Sequence, residues 1–488
     1  MGWITHFYML THKLPNWDDI SQLNGLGLTT QIGRWMLEPL QDIGQRTSNP
    51  AIHGMLLIVF ISLAACFVVA ALEFKTVTSA ILTSAIMVTF PSITGILFFM
   101  FTAHLYAIGV CLFCASAYLI RKFKYGFIPA GICIVLALAI YQPFVSVAIS
   151  VMILSLISET LSGKTFKGLV INGVKDAGTL IVSTFIYIQI AHLVYPRMAN
   201  ESYGGAGNMG KIAIVDMPRN FARVYKRVLE YFITRPFSFA GEGMRTINIC
   251  VVALVAILLV LCIVRLKLWK RKLELAFLIL MLALFPFSIG FVYFMAPEAP
   301  FSMLMLYAYS MLYVLVLLLA ESAFETGNVR ISIVGSVAVT AVLLLSVYNN
   351  YLLDSQAYFR SGIAYERAAN YYERIITRVE SKPGYKVGDK VAVLGEFYYV
   401  DNPSPIEEPI FDEDALRELS GVALENGLIT SGVRSNFMRI YLGFDCGNVS
   451  DSEKKDIMSK QEYKNMGIYP DEAGIAKIDD VWVVKMCE

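Results

Sequence analysis

Residues 11–40 read THKLPNWDDISQLNGLGLTTQIGRWMLEPL, and the adjacent Asp18 and Asp19 are the first carboxylates in the chain. A carboxylate within hydrogen-bond reach of a hydroxyl can take its proton as that oxygen forms a new bond. Consecutive side chains diverge by about 100° in a helix and about 180° in a strand, so the two acids divide into a base and a support. Arg34, in the run GRW, and Lys13 supply the opposite sign, as bidentate or point-charge partners for a phosphate. A divalent cation, Mg or Mn, held by Asp18 and Asp19 is a second way to reconcile phosphate with carboxylate, although the pattern requires no cofactor. The competing reading is that the two aspartates cap a surface helix.

Other polar groups sit inside apolar runs, where they face a cavity or a partner: His104, Gln142, Asp176, Gln189 and His192. His104 lies near the outer end of its run, placed either for a bound phosphate or for an interhelical hydrogen bond. Arg197, just beyond a run, is a head-group contact or a snorkelling side chain. The stretch from Arg219 to Tyr231 interleaves basic residues with Phe221, Val224, Tyr225, Val228 and Leu229. It reads equally as a helix lying in a membrane interface and as a solvated loop helix. No HExxH, zinc-type cysteine cluster, phosphate loop, dinucleotide fingerprint or serine-hydrolase elbow occurs. Cys111 and Cys114 have redox-pair spacing but lie in an apolar run without acids, which favours packing. Cys446 and Cys487, in a polar segment, are candidates for a disulfide if that segment lies outside the cytoplasm.

The elements that must position these groups follow from composition. The chain has 488 residues, 56% hydrophobic and only 16% charged, too apolar for a soluble globule. A net charge of +1 gives no field for nucleic acid. Counting apolar segments of spanning length predicts a mainly α, polytopic membrane bundle of about 10–11 spans, the opening MGWITHFYML being only half a span. That opening run also lacks the charged start and cleavage site of a removable signal. Three basic loops orient the bundle: Arg121, Lys122 and Lys124; Lys164, Lys167 and Lys175; and Arg265, Lys267, Lys270, Arg271 and Lys272. With these inside, alternation puts loops 13–50 and 196–247, the tip at Tyr141 and Gln142, and the chain after about residue 351 outside. The domain division is thus 1–354 for the membrane bundle and 355–488 for a small extracytoplasmic α/β domain. Its helix leads down through 358–380, strands follow at 390–395 and 481–486, and a second helix lies at 413–426.

The ordered set PNWDD (15–19), GRW (33–35), FPSITGILFFMFTAHLYAIG (90–109), AIYQPFVSVAIS (139–150) and GIYPDEAGIAKIDDVWVVKM (467–486) resembles the serotype-converting type II glucosyl transferase family, which modifies bacterial O-antigen. The resemblance implies a GT-C-like glycosyltransferase of the inner membrane, with its active site on the extracytoplasmic face. It would draw on a polyprenyl-phosphate sugar such as undecaprenyl-phosphate glucose, with a cell-surface glycan as acceptor. A flippase and a carrier-charging transferase would supply the donor. It places Asp18 and Asp19 as catalytic candidates and Tyr141 and Gln142 at the sugar; beside them stand Arg34, Lys13, His104 and Arg197 as donor-phosphate candidates and Trp35 and Tyr203 as further sugar or acceptor candidates. Tyr141 and Gln142 match the family's YQ pair, whereas His104 stands where the family commonly has an acid. Two other classes compete: a flippase for lipid-linked sugars, disfavoured by the tail, and a non-catalytic scaffold of a polysaccharide machine.

Overall fold

A backbone that crosses hydrocarbon must satisfy its own N–H and C=O groups, so apolar runs of spanning length fold as helices. The computed structural model describes residues 1–22, 32–43, 48–195, 214–234, 242–297, 299, 301–325, 329–395, 418–419 and 433–487. They belong to two compact units. One comprises Met1–Lys13, Leu26–Gln356 and Glu418–Gly421; the other comprises Leu14–Gly25, Ala357–Arg417 and Val422–Glu488. The segment carrying Asp18 and Asp19 therefore groups with the tail, a departure from the division at residue 354.

In chain order the helices before the sheet of the second unit are α1 (Gly2–Thr11), α2 (Trp17–Gln22), α3 (Leu37–Ile43), α4 (Pro50–Ala71), α5 (Val77–Thr89), α6 (Pro91–Leu97), α7 (Met100–Lys122), α8 (Phe127–Ile140), α9 (Val145–Leu161), α10 (Phe166–Val194), α11 (Met217–Leu229), α12 (Glu242–Arg265), α13 (Lys272–Ile289), α14 (Phe291–Met295), α15 (Met311–Phe324) and α16 (Val329–Glu380), with α2 and the end of α16 belonging to the second unit. Among the described residues, 8 helices are long and apolar enough to cross a membrane, or 9 with α5 and α6 taken as one span bent by 43°. This is fewer than the 10–11 expected. The 14 residues of α8 reach only about 21 Å at the helical rise, short of a hydrocarbon core of about 30 Å. The 10-residue α1 buries Gly2, Thr5, His6, Met9 and Leu10, and His6 Nε2 donates to the Val88 carbonyl at 2.7 Å. Protein rather than lipid surrounds that face.

Within the first unit, α4 and α7 run side by side in the same direction. Their His53–His104 and Phe67–Tyr118 ring contacts recur in step along both helices. The three basic loops meet at one end of the bundle. Arg121 holds Asp176 through two 2.5 Å bonds and Glu159 at 3.1 Å. Lys164 reaches Glu159 at 3.2 Å, and Arg271 donates to the carbonyls of Gly163 and Lys164. Arg265 donates to the Ala323 carbonyl, next to Glu325, which pairs with Lys75. Asp176, a polar group within an apolar run, is thus one member of an ion cluster at a helix-bundle end. The Asp176 and Arg121 side chains are 6% and 12% exposed, so removing one charge strands the other in a low-dielectric setting. Asp176→Ala should cost about 3 kcal/mol of stability, read as a lower unfolding midpoint in detergent; an unchanged midpoint contradicts this role.

The second unit contains a three-stranded sheet of order β1-β3-β2, from β1 (Lys390–Leu394), β2 (Ile475–Ile478) and β3 (Val481–Lys485). β1 and β3 are parallel, and β2 and β3 form an antiparallel hairpin. Strands were anticipated at β1 and β3. The added β2 follows from the two-residue turn Asp479–Asp480, where Asp479 takes φ 52°. The core gathers Ile20 of α2, Tyr372 and Ile375 of α16, Phe437 of α17 (Arg434–Tyr441), and Trp482 and Val484 of β3. The helix expected at 413–426 falls outside the described residues except for 418–419. Cys446 and Cys487 are both free thiols, which corrects the disulfide expectation. The Cys446 carbonyl accepts from Val391 N–H at the start of β1, whereas Cys487 follows Met486, whose N–H donates to Leu394 at its other end. Three residue steps along the strand separate those points by roughly 10 Å, beyond the Cα separation of about 7 Å that a disulfide tolerates. Burial also pushes the Cys446 thiol up to about 12.

Ser450 opens α18 (Asp451–Ser459) with a reciprocal capping box: its side chain accepts from Glu453 N–H, and Glu453 accepts from Ser450 N–H. α19 (Gln461–Asn465) follows. Lys390 beside Glu453, together with the cap, lowers that carboxyl from 4.5 to about 2. A depressed folded value stabilises above 4.5, and that contribution is lost as pH falls towards 2. The unfolding midpoints of wild type and Glu453→Gln should therefore differ above that window and converge within it; a difference that persists at the acid end contradicts the assignment.

Candidate functional site

At the end of the first unit opposite the basic loops, Gly33 adopts φ +83°, a left-handed turn that suits glycine and presents the next residue, Arg34. The Arg34 guanidinium lies 4.5 Å above the Tyr141 ring, and its Nε donates to Gln142 Oε1 at 3.3 Å. Gln142 Nε2 donates to the Ile32 carbonyl at 2.8 Å and to the Tyr187 hydroxyl at 2.9 Å. The Tyr187 hydroxyl in turn donates to the Gly33 carbonyl at 3.1 Å. The turn is thus held from both sides. Behind it, the Tyr141 ring makes tilted contacts with Tyr106 of α7 at 4.4 Å and with Phe144 at 4.7 Å, while Met36 N–H donates to the Ala139 carbonyl.

This local structure follows from sequence. Pro143 stops α8 from running into α9, and Gln142–Phe144 form a short 3-10 turn. The break exposes the Tyr141–Gln142 pair to the Arg34 loop. Tyr141 and Gln142 are 1% and 6% exposed, whereas Arg34 is half-buried. A guanidinium whose flat face lies on an aromatic ring directs its N–H edges away from that ring, the geometry by which arginine meets a phosphate or carboxylate.

The remaining candidates divide clearly. Trp35 is half-buried, and its Nε1 is buried with no hydrogen-bond partner among the described residues. Lys13 is exposed. His104, rather than facing open solvent, is stacked at 4.2 Å on His53 in the first turns of α7 and α4. The Nδ1 atoms of both rings are buried without partners among the described residues. Arg197 and Tyr203 lie outside the described residues. Gln189 and His192 are exposed on α10.

In the second unit, Asp19 N–H donates to Asn16 Oδ1 at 2.8 Å, and Asp19 Oδ2 accepts from Asn16 N–H at 3.4 Å. That reciprocal pair is a helix cap. Asp19 is 2% exposed, while Asp18 is half-buried. Burial, with Asp19 nearby, pushes the Tyr441 phenol upward. Among the described residues no group of three or more His, Cys, Asp or Glu gathers as a metal site. The Asp18–Asp19 pair, with one carboxylate committed to a cap, does not by itself fit a divalent cation.

Two residues of the first-unit site escaped sequence reasoning. Tyr187 lies on α10, whose buried positions Leu169, Asp176, Ser183, Tyr187 and Ala191 are sparse among lipid-facing ones, so its apolar neighbours carry no signal that sets it apart. His53 was the lone titratable residue at the head of its apolar run.

The family model described as Glucosyl transferase GtrII matches residues 7–320. The chain belongs to the GtrII glucosyl transferase family. The matched range contains every candidate above, from Lys13 to Tyr203, and ends before α16. Family membership makes the chain a glycosyltransferase with a multi-pass helical body. No curated protein and no solved structure matches the chain.

Within this glucosyl transferase, Tyr187→Phe deletes one hydroxyl and leaves the Gly33 carbonyl and Gln142 each short of a partner. Glucosyl transfer should fall about tenfold with folded yield unchanged. Full activity in Tyr187→Phe contradicts the positioning of the Arg34 turn by α10.

Proposed function

We propose that the protein moves glucose from a polyprenyl-phosphate carrier to a cell-surface glycan such as O-antigen, on the extracytoplasmic face of the bacterial inner membrane. The observation that carries this reading is the Arg34–Tyr141–Gln142 cluster, at the bundle end opposite the basic loops. Basic loops stay in the cytoplasm, so the cluster belongs to the outer side. Arg34 binds the donor phosphate, with Lys13, His104 and Arg197 as further cationic or hydrogen-bonding groups. Tyr141 and Gln142, with Trp35 and Tyr203, meet sugar or acceptor by stacking and hydrogen bonds.

The reaction forms a bond between an acceptor hydroxyl oxygen and the sugar's anomeric carbon, and breaks the anomeric carbon–phosphate oxygen bond. The electron pair leaves on polyprenyl phosphate, whose charge Arg34 offsets. The hydroxyl proton passes to a carboxylate. Asp18 is assigned this role, because Asp19 is spent on capping α2 and supports the segment. A flippase and a carrier-charging transferase are the partners that such a donor requires.

The test supplies purified protein with polyprenyl-phosphate glucose and acceptor glycan and follows the product by mass. Asp18→Asn should lower kcat about a hundredfold or more while the protein stays folded. Asp19→Asn should act chiefly on stability. Wild-type turnover in Asp18→Asn removes Asp18 as the base, and wild-type turnover in the double variant removes both aspartates.

A further inference from the structure

The basic, aromatic-rich stretch that begins at Arg219 has no part in the reaction above. It forms α11, which packs on the first unit at a defined level. Val224 and Val228 close over Gly290, where an added Cβ would lie 2.8 Å from each. Phe221 stacks on Phe287 at 4.7 Å, Tyr225 donates to the Ala283 carbonyl at 2.7 Å, and Arg223 donates to the Pro297 carbonyl at 3.1 Å. Gly290 ends α13, an 18-residue span that starts at Lys272 in the basic loop. That length carries α13 about 27 Å, so α11 lies at the opposite membrane surface from the basic loops. Beyond it the π-turn Glu230–Thr234 buries Tyr231 and Phe232, which meet Tyr309 at 4.7 and 5.5 Å.

The uncovered side of this helix mixes two chemistries. Phe221, Leu229 and Ile233 are 40%, 54% and 39% exposed, and Arg219, Lys226 and Arg227 are exposed beside them. Lys226 and Arg227 share the single carboxylate of Glu230, leaving surplus positive charge across the segment. A solvated helix would present large apolar side chains to water. A helix at the interface puts them at the acyl boundary and its cations among phosphates.

We propose that α11 binds the phosphate headgroups of anionic phospholipids in the leaflet opposite the basic loops. This surface is independent of the sugar-transfer reading. Amide exchange of Met217–Leu229 in the full chain tests it, in vesicles of phosphatidylcholine alone and of phosphatidylcholine with phosphatidylglycerol. Phosphatidylglycerol should slow exchange there roughly tenfold, with α18 unchanged as a control. Inorganic phosphate added to phosphatidylcholine vesicles should not reproduce the effect. A variant carrying Arg219→Gln, Lys226→Gln and Arg227→Gln should lose the slowing, while α18 still exchanges as in wild type. Equal exchange in both lipids, slowing by free phosphate alone, or slowing that survives the triple substitution overturns the proposal.

Discussion

Charge enters a bilayer-embedded bundle only where something compensates it, and that constraint arranges this molecule. Arg121, Asp176 and Glu159 satisfy one another at one end of the first unit, and Arg271 closes the same end onto backbone carbonyls. The spans between are almost free of charge. Polar groups able to handle a phosphate or a sugar are consequently gathered at the other end, where Pro143 breaks the helices and Gly33 turns the chain.

The Arg34 turn depends on that arrangement at short range. A guanidinium held only by solvent samples many rotamers; here stacking on Tyr141 and the bond to Gln142 restrict it, and Tyr187 restrains both neighbours. Oxyanion stabilisation is most effective when donors are arranged before charge develops. The GtrII match covers these positions, so the local geometry lies within the glucosyl transferase region; for the donor proposed above, its charge would face the leaving phosphate.

Much of this was legible from residues alone. Basic loops separated by apolar runs orient the bundle, Arg34 stands out in the run GRW, and Tyr141 and Gln142 stand out as polar groups at the end of an apolar run. What sequence obscured has physical causes. Hydropathy does not register that α8, which links the basic loop at 121–124 to the opposite end of the bundle, does so in only 14 residues. Tyr187 was hidden because a helix largely facing lipid is apolar on all sides, so periodicity marks no buried stripe. The base and cap readings of Asp18 and Asp19 differ only in backbone geometry, and Asp19 exchanges cap hydrogen bonds with Asn16. His104 looked like an isolated polar group because its partner, His53, lies 51 positions earlier in sequence and meets it only through the packing of α4 on α7.

The central claim is that Arg34 receives the phosphate of a lipid-linked sugar. Equilibrium binding of polyprenyl-phosphate glucose to detergent-solubilised wild type and Arg34→Gln tests it most directly, since binding precedes any step assigned to a base. The account predicts that Arg34→Gln weakens Kd by about tenfold or more, the worth of a charge-assisted pair. Equal affinity in the two proteins would contradict it.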